Sequence, residues 1–190
     1  VRHALDTLVK EGLILKKQGK GSIVRKPPQN IGILSIAGTA SAVGVRYLKT
    51  DILQKPVIQP WPEEFPFELT EPEKVAGCIF MERLRYVDEK PVFYDINHLP
   101  NLNLPRFTSR SFENKSLFEV LRKHYQVQIT GGEQKLKAII PNKKIKKLLK
   151  IKSRTPVLYI ERKLTTNKEA FNIYSTIYFN SENHSISGTF

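Results

Sequence analysis

Two long segments dominate what this chain of 190 residues can fold into. In GCIFMERLRYVDEKPVFYDINHLP, apolar runs lie on both sides of Asp88-Glu89-Lys90, and PVLYIERKLT and FNIYSTIYFN flank Asn167-Lys168-Glu169 in the same way. Each reads as strand, turn, strand, so each predicts a long hairpin. Hairpins joined in sequence pair as antiparallel neighbours, which makes a mainly antiparallel sheet the expectation. SLFEVLRKHY places Leu117, Phe118, Val120 and Leu121 on one helical face behind Ser116, and NKKIKKLLKI turns Ile145, Leu148 and Leu149 inward. IGILSI and KLKAIIP read as strands, and GTASAVGVRYLKTDIL as a small-residue loop running into a helix. Residues 56–72 carry too many prolines for an interior strand and are expected at an edge or as a covering loop. The class is therefore α+β, an antiparallel sheet with helices packed on one face.

Composition narrows the function classes. With 40% hydrophobic and 26% charged residues the chain has ordinary globular composition. Its apolar runs are far shorter than the 18 or so residues that would span a bilayer, so no membrane partner is expected. Cys78 is the one cysteine and cannot form an internal disulfide, and no signal segment opens the chain. A reducing cytoplasm is the expected compartment. His3, His98, His124 and His184 have no Cys or second His at ligand spacing, so neither metal nor cofactor is expected.

The net charge of +13 favours a polyanionic partner, and its distribution is more informative than its size. Residues 1–30 carry an excess of +5 and residues 142–152 an excess of +6, which leaves the rest nearly neutral. Within the first block, Ala4, Leu5, Leu8 and Val9 share a helical face that Gly12 terminates. That helix is already in progress at Val1, without a capping residue before it. LILKK and SIVRK then form a basic hairpin around Gln18-Gly19-Lys20-Gly21, and Pro27-Pro28-Gln29-Asn30 reads as an extended linker. A helix followed by a basic hairpin is the arrangement of a winged helix, with the helix in the major groove and the wing on the backbone. Arg2 would face the groove, while Lys16, Lys17 and Lys20 neutralise phosphates and Gly19 and Gly21 allow close approach. A helix and hairpin packed on a neighbouring domain, with solvated lysines, is an equally open reading of these residues. The expected division is 1–26 as a partial winged helix-turn-helix, 27–30 as linker and 31–190 as a second domain.

RHALDTLVKEGLILKKQGKGSIV resembles the end of the winged helix-turn-helix of GntR-family transcriptional regulators, through Arg2, Ala4, Leu5, Leu8, Glu11-Gly12-Leu13 and Gln18-Gly19 to Val24. The remainder is similar to the UTRA effector-sensing domain of the HutC-type branch. Arg83-Leu84-Arg85-Tyr86, His98-Leu99-Pro100, Ser116-Leu117-Phe118, Pro156-Val157-Leu158 and Ile177-Tyr178 carry that similarity. The resemblance implies a ligand-responsive regulator that binds operator DNA as a homodimer. It also implies that two helices normally precede the recognition helix, so the DNA-reading module is expected to be incomplete here.

Arg83 and Arg85 lie two apart on a strand, so both side chains point to one face. Two guanidinium forks on one face suit a phosphate, a carboxylate or a dense array of hydroxyls. Pairing with Asp95 or Asp88 across the hairpin explains them as well, and spacing alone does not choose between the two. By resemblance, the effector-binding positions are Ser35, Arg83, Arg85, Asp95, Ser116 and Tyr178, with Asn172 where many relatives place Glu. A small anionic or sugar-like metabolite, such as a phosphorylated or acidic sugar, is the implied effector class. The UTRA domain also resembles the chorismate-lyase fold, which leaves a small-molecule enzyme as the alternative, although no paired acid and base stand out in the sequence.

Overall fold

The computed structural model describes residues 49–182 and the backbone of residues 14–17 and 21–24. β1 (Ile14–Lys17) and β2 (Gly21–Val24) form an antiparallel ladder in which Ile14 faces Val24 and Lys17 faces Gly21. This is the hairpin expected around residues 18–21. Arg2, Gly19, Lys20, Ser35 and the linker at 27–30 lie outside the described residues.

The second unit is a six-stranded sheet of β3 (Lys49–Gln59), β4 (Cys78–Val87), β5 (Lys90–Pro100), β6 (Ile129–Ile139), β7 (Val157–Thr166) and β8 (Ile173–Phe179). The strand order is β3-β4-β5-β8-β7-β6, and every pairing is antiparallel. Among the described residues three helices accompany it: α1 (Glu71–Ala76), α2 (Leu117–Tyr125) and α3 (Lys143–Leu149). The β4–β5 hairpin turns at Asp88 and Glu89, both in the left-handed region with φ of 48° and 60°. That turn geometry matches the right-handed twist of the strands it joins.

Two expectations are corrected. The stretch around Lys49-Thr50-Asp51-Ile52 is strand, not helix: Thr50, Asp51 and Ile52 lie opposite Arg85, Leu84 and Arg83. Its β-branched Thr50, Ile52, Val57 and Ile58 suit a pleated surface. Pro56 is tolerated because β3 is an edge strand whose register shifts on both sides of Gln54. The helices also do not share one face. On the first face, α2 sets Leu117, Val120 and Leu121 against Ile79, Met81, Leu99 and Ile173. On the second face, α3 sets Ile145 and Leu149 against Leu84 and Tyr94. The near-continuous burial of β5 follows from this double covering, as strands packed on both sides lose their alternation.

Residues 60–76 cover the other end of the second face. Trp61, Phe65 and Phe67 pack on His98 and Tyr174, with ring centroids 5.1–6.3 Å apart, so the proline-aromatic stretch anchors itself to the sheet. The α1 helix was missed in the sequence, although Thr70-Glu71-Pro72-Glu73 carries a start signal. Glu73 reaches back to accept from the Thr70 backbone N and Oγ1, each at 2.9 Å. Cys78 is buried beneath this segment, and burial pushes its thiol up to about 11, so it behaves as a small apolar side chain.

Candidate effector site

The first face is apolar except where polar side chains interrupt three adjoining rows. β4 presents Ile79, Met81, Arg83 and Arg85; β5 presents Phe93, Asp95, Asn97 and Leu99; β8 presents Ile173, Ser175 and Ile177; and β7 presents Leu158, Ile160, Arg162 and Leu164. Cross-strand register aligns the interruptions. Arg83 lies opposite Asp95, while Asn97, Ser175 and Arg162 lie in line with Gln134 of β6. A polar island thus sits inside the apolar floor of the sheet.

Its charges are buried and unequal. Arg83 and Arg85 are 6% exposed, Arg162 5% and Asp95 1%, so among the described residues this face buries three guanidiniums and one carboxylate. Asp95 Oδ2 lies 3.3 Å from Arg83 Nη2 and 2.8 Å from Arg85 Nε. The Arg85 guanidinium also lies 5.1 Å from the centre of the Phe93 ring, a cation–π contact. Burial pushes Arg83 down to about 10, opposed by the attraction of Asp95 and reinforced by the repulsion of Arg85. Arg162 is lowered by burial in the same way, with Asp95 opposing and Arg85 adding to the shift. Arg83 and Arg162 therefore each feel Arg85 and the same carboxylate.

Several hydrogen-bonding atoms of the island are left over. Ser175 Oγ donates to Asn97 Oδ1 at 3.2 Å, and Arg162 Nη2 donates to Gln134 Oε1 at 3.1 Å. These contacts direct both amide oxygens to their partners, leaving Asn97 Nδ2 and Gln134 Nε2 as buried donors without a partner among the described residues. Arg83 Nε is a third such donor, and Asp95 Oδ1 an acceptor in the same state. Buried polar atoms are nearly always satisfied, so a cluster of unmet donors beside excess positive charge is what an anion-binding site presents.

Of the expected set, the structure brings together Arg83, Arg85 and Asp95 and sets Ser116, Asn172 and Tyr178 apart from them, while Ser35 lies outside the described residues. Tyr178 points to the second face, stacked on Tyr94 at 5.8 Å. Asn172 is held at that face by Glu73 Oε1, which accepts from its backbone N and its Nδ2, each at 3.0 Å. Neither reaches the arginines, because successive residues of β8 alternate between faces. Ser116 caps α2, its Oγ accepting from Glu119 N at 3.4 Å, and borders a groove of about 460 Å³ that none of the three arginines lines. Lys16 and Lys17 lie on β1 and Gly21 on β2. Arg162, Asn97, Ser175 and Gln134 were missed. For Arg162 a signal existed: a charged residue takes the place of an apolar one in Leu158, Ile160, Arg162, Leu164.

Residues 48–185 match the family model described as UTRA domain. The chain belongs to the UTRA domain family. Among its relatives, the uncharacterized HTH-type transcriptional regulator YurK of Bacillus subtilis is 24% identical over 156 residues, which cover 78% of this chain and 62% of YurK. The probable fructoselysine utilization operon transcriptional repressor of Escherichia coli K12 is 22% identical over 165 residues, 85% of this chain and 66% of the repressor. The mannosyl-D-glycerate transport/metabolism system repressor MngR of Escherichia coli K12 is 24% identical over 97% of this chain and 76% of its own. The chain thus spans just under two thirds of the length of the first two. The crystal structure of YydK from Bacillus subtilis superposes with a TM-score of 0.68 at 17% identity, covering 100% of this chain and 81% of YydK. PhnF from Mycobacterium smegmatis superposes at 0.66, again at 17% identity and covering 100% of this chain and 83% of PhnF. This UTRA domain therefore shares their fold. Among its described residues no helix is long and apolar enough to cross a membrane.

Proposed function

We propose that this protein is part of a cytoplasmic, ligand-responsive transcriptional regulator whose UTRA domain captures a small anionic, hydroxylated metabolite and thereby alters operator binding. The observation that carries this reading is the buried island in which Arg83, Arg85 and Arg162 gather near Asp95, the one buried carboxylate among the described residues of this face. Among the described residues that is three buried positive charges against one negative, a balance that an anion would complete. Asp95 adds an acceptor for a hydroxyl, which fits a phosphorylated or acidic sugar. The names of the fructoselysine and mannosyl-D-glycerate repressors agree with sugar-derived effectors. Ser35 and Ser116 remain candidates for the rim of the site.

The relatives' description as HTH-type regulators supports operator DNA as the second partner, contacted through Arg2, Lys16, Lys17, Gly19, Lys20 and Gly21 of the winged arm. Two arms on a homodimer would match two half-sites. Effector and operator are then coupled by about 1–3 kcal/mol, a 5- to 150-fold change in affinity. The lyase reading is less well supported, because the island supplies binding groups around one carboxylate and not an acid paired with a base.

The test uses the protein with its complete winged helix and an operator selected from random duplexes. Anisotropy of labelled operator, with and without candidate sugar phosphates and sugar acids, should show a response that Arg83→Gln and Arg85→Gln abolish while effector-free operator binding persists. Variants that respond like the parent would defeat the proposal. So would folded variants that lose operator binding and response together.

A further inference from the structure

We infer that Arg162, seated on Gln134, is a second anchor of the polar island and selects an effector with two separated anionic groups. A phosphate would lie at Arg83 and Arg85, and a carboxylate at Arg162. The inference rests on the anion-sensor reading and goes further, in naming both the ligand class and the residue that discriminates for it.

Register separates the two anchors. Arg83 is on β4 and Arg162 on β7, three strand intervals apart in the order β4-β5-β8-β7. At ~4.8 Å per interval their backbones are ~14 Å apart, so an anion seated between Arg83 and Arg85 leaves the Arg162 end of the path to a second group. Arg83 is turned to Asp95 at 3.3 Å, while Arg162 Nη2 donates to Gln134 Oε1 of β6 at 3.1 Å and feels Asp95 and Arg85 through their charges. Gln134 cannot present its nitrogen to a guanidinium, which only donates, so its unpartnered Nε2 adds a donor at the Arg162 end. Arg83 Nε adds one at the other end, and Asn97 Nδ2 lies between them on β5.

A ligand along this path meets donors at both ends and the free acceptor Asp95 Oδ1 beside the first. The matching chemistry is a polyhydroxylated chain with a negative charge at each end, of which the aldonic acid phosphates are the simplest class. A sugar monophosphate would occupy Arg83 and Arg85 but leave the Arg162 charge without an anion and Gln134 Nε2 with an unmet donor, which weakens binding of the wrong ligand.

The experiment is calorimetric titration of the full chain with matched probes, glucose 6-phosphate and 6-phosphogluconate, backed by thermal shift at millimolar probe. The parent should bind 6-phosphogluconate at least about tenfold more tightly, the loss expected when a buried polar pair goes unmatched. Arg162→Gln and Arg162→Met should collapse that ratio to near one by weakening 6-phosphogluconate alone, and Arg83→Gln should weaken both probes and keep the ratio. Gln134→Leu, at the margin of the sheet, repeats the Arg162 test in case both Arg162 variants fail to melt cooperatively. A ratio that survives the folded variants, or two probes weakened equally by them, overturns the inference and leaves the sensor reading standing. So does a parent that binds both probes equally. A parent that binds neither overturns the sensor reading, and this inference with it.

Discussion

Replacing Asp95 by Asn removes one charge and almost no volume from the centre of the sheet. Asp95 is 1% exposed and sits 3.3 Å from Arg83 Nη2 and 2.8 Å from Arg85 Nε, and Arg162 also feels its field. The asparagine oxygen can still accept a hydrogen bond, so what changes is electrostatic: three buried guanidiniums lose the carboxylate they gather around. Taking one partner from a buried pair costs about 3–5 kcal/mol. For a chain of this length each kcal/mol lowers the melting temperature by about 2–4 °C, which predicts a fall of roughly 6–20 °C. Differential scanning calorimetry in a buffer without sulfate or phosphate measures it. The control is Glu82→Gln, whose partner Lys144, 3.2 Å away, is solvent-exposed, and whose loss should stay below about 1 kcal/mol. Added sulfate should recover part of the loss in the Asp95 variant and little in the control, as an anion that binds only the native state stabilises it. A melting point within about 2 °C of the parent would refute the premise that the island needs an anion at its centre.

Three further outcomes follow from the second face and the sheet edge. Burial pushes His98 down to about 4 from 6.5, so the unfolded chain takes up a proton that the native state refuses. Stability should fall by about 3 kcal/mol as pH drops from 6.5 to 4, and urea melts of His98→Phe across that range should show a shallower decline. Glu73 is fully buried and accepts from Thr70, Asn172 and Tyr174, so Glu73→Ala should release residues 60–76 from the sheet. It should cost about 3 kcal/mol or more, with faster proteolysis in that segment as the readout. Gly132 has φ +156, and a Cβ there would stand 2.5 Å from the Lys163 carbonyl oxygen, so Gly132→Ala should destabilise by about 1–3 kcal/mol in urea titration.

How much of this was legible in the sequence differs from element to element. Both long hairpins could be read because apolar runs flank polar turns, and α2 and α3 because their apolar residues recur at helical spacing behind Ser116 and Asn142. Thr50 to Ile52 misled because the small residues before them suggested a loop entering a helix, whereas pairing with Arg83 to Arg85 makes them strand. At the site, the alternation within β4 placed Arg83 and Arg85 together without any structure. The face of Tyr178 depended on the register of β8 against β5, which is a property of the sheet and not of either strand. Arg162 was hidden for the same reason: its strand shows a charge in an apolar row, but only the order β5-β8-β7 brings that charge to Asp95.

The most direct test of the anion-binding island is the phosphorus NMR signal of 6-phosphogluconate titrated with the full chain, compared with the folded Arg83→Gln/Arg85→Gln double variant. The island predicts a shifted or broadened phosphate resonance with the parent and a free-ligand signal with the double variant. An identical perturbation by both proteins would place the phosphate elsewhere and contradict it.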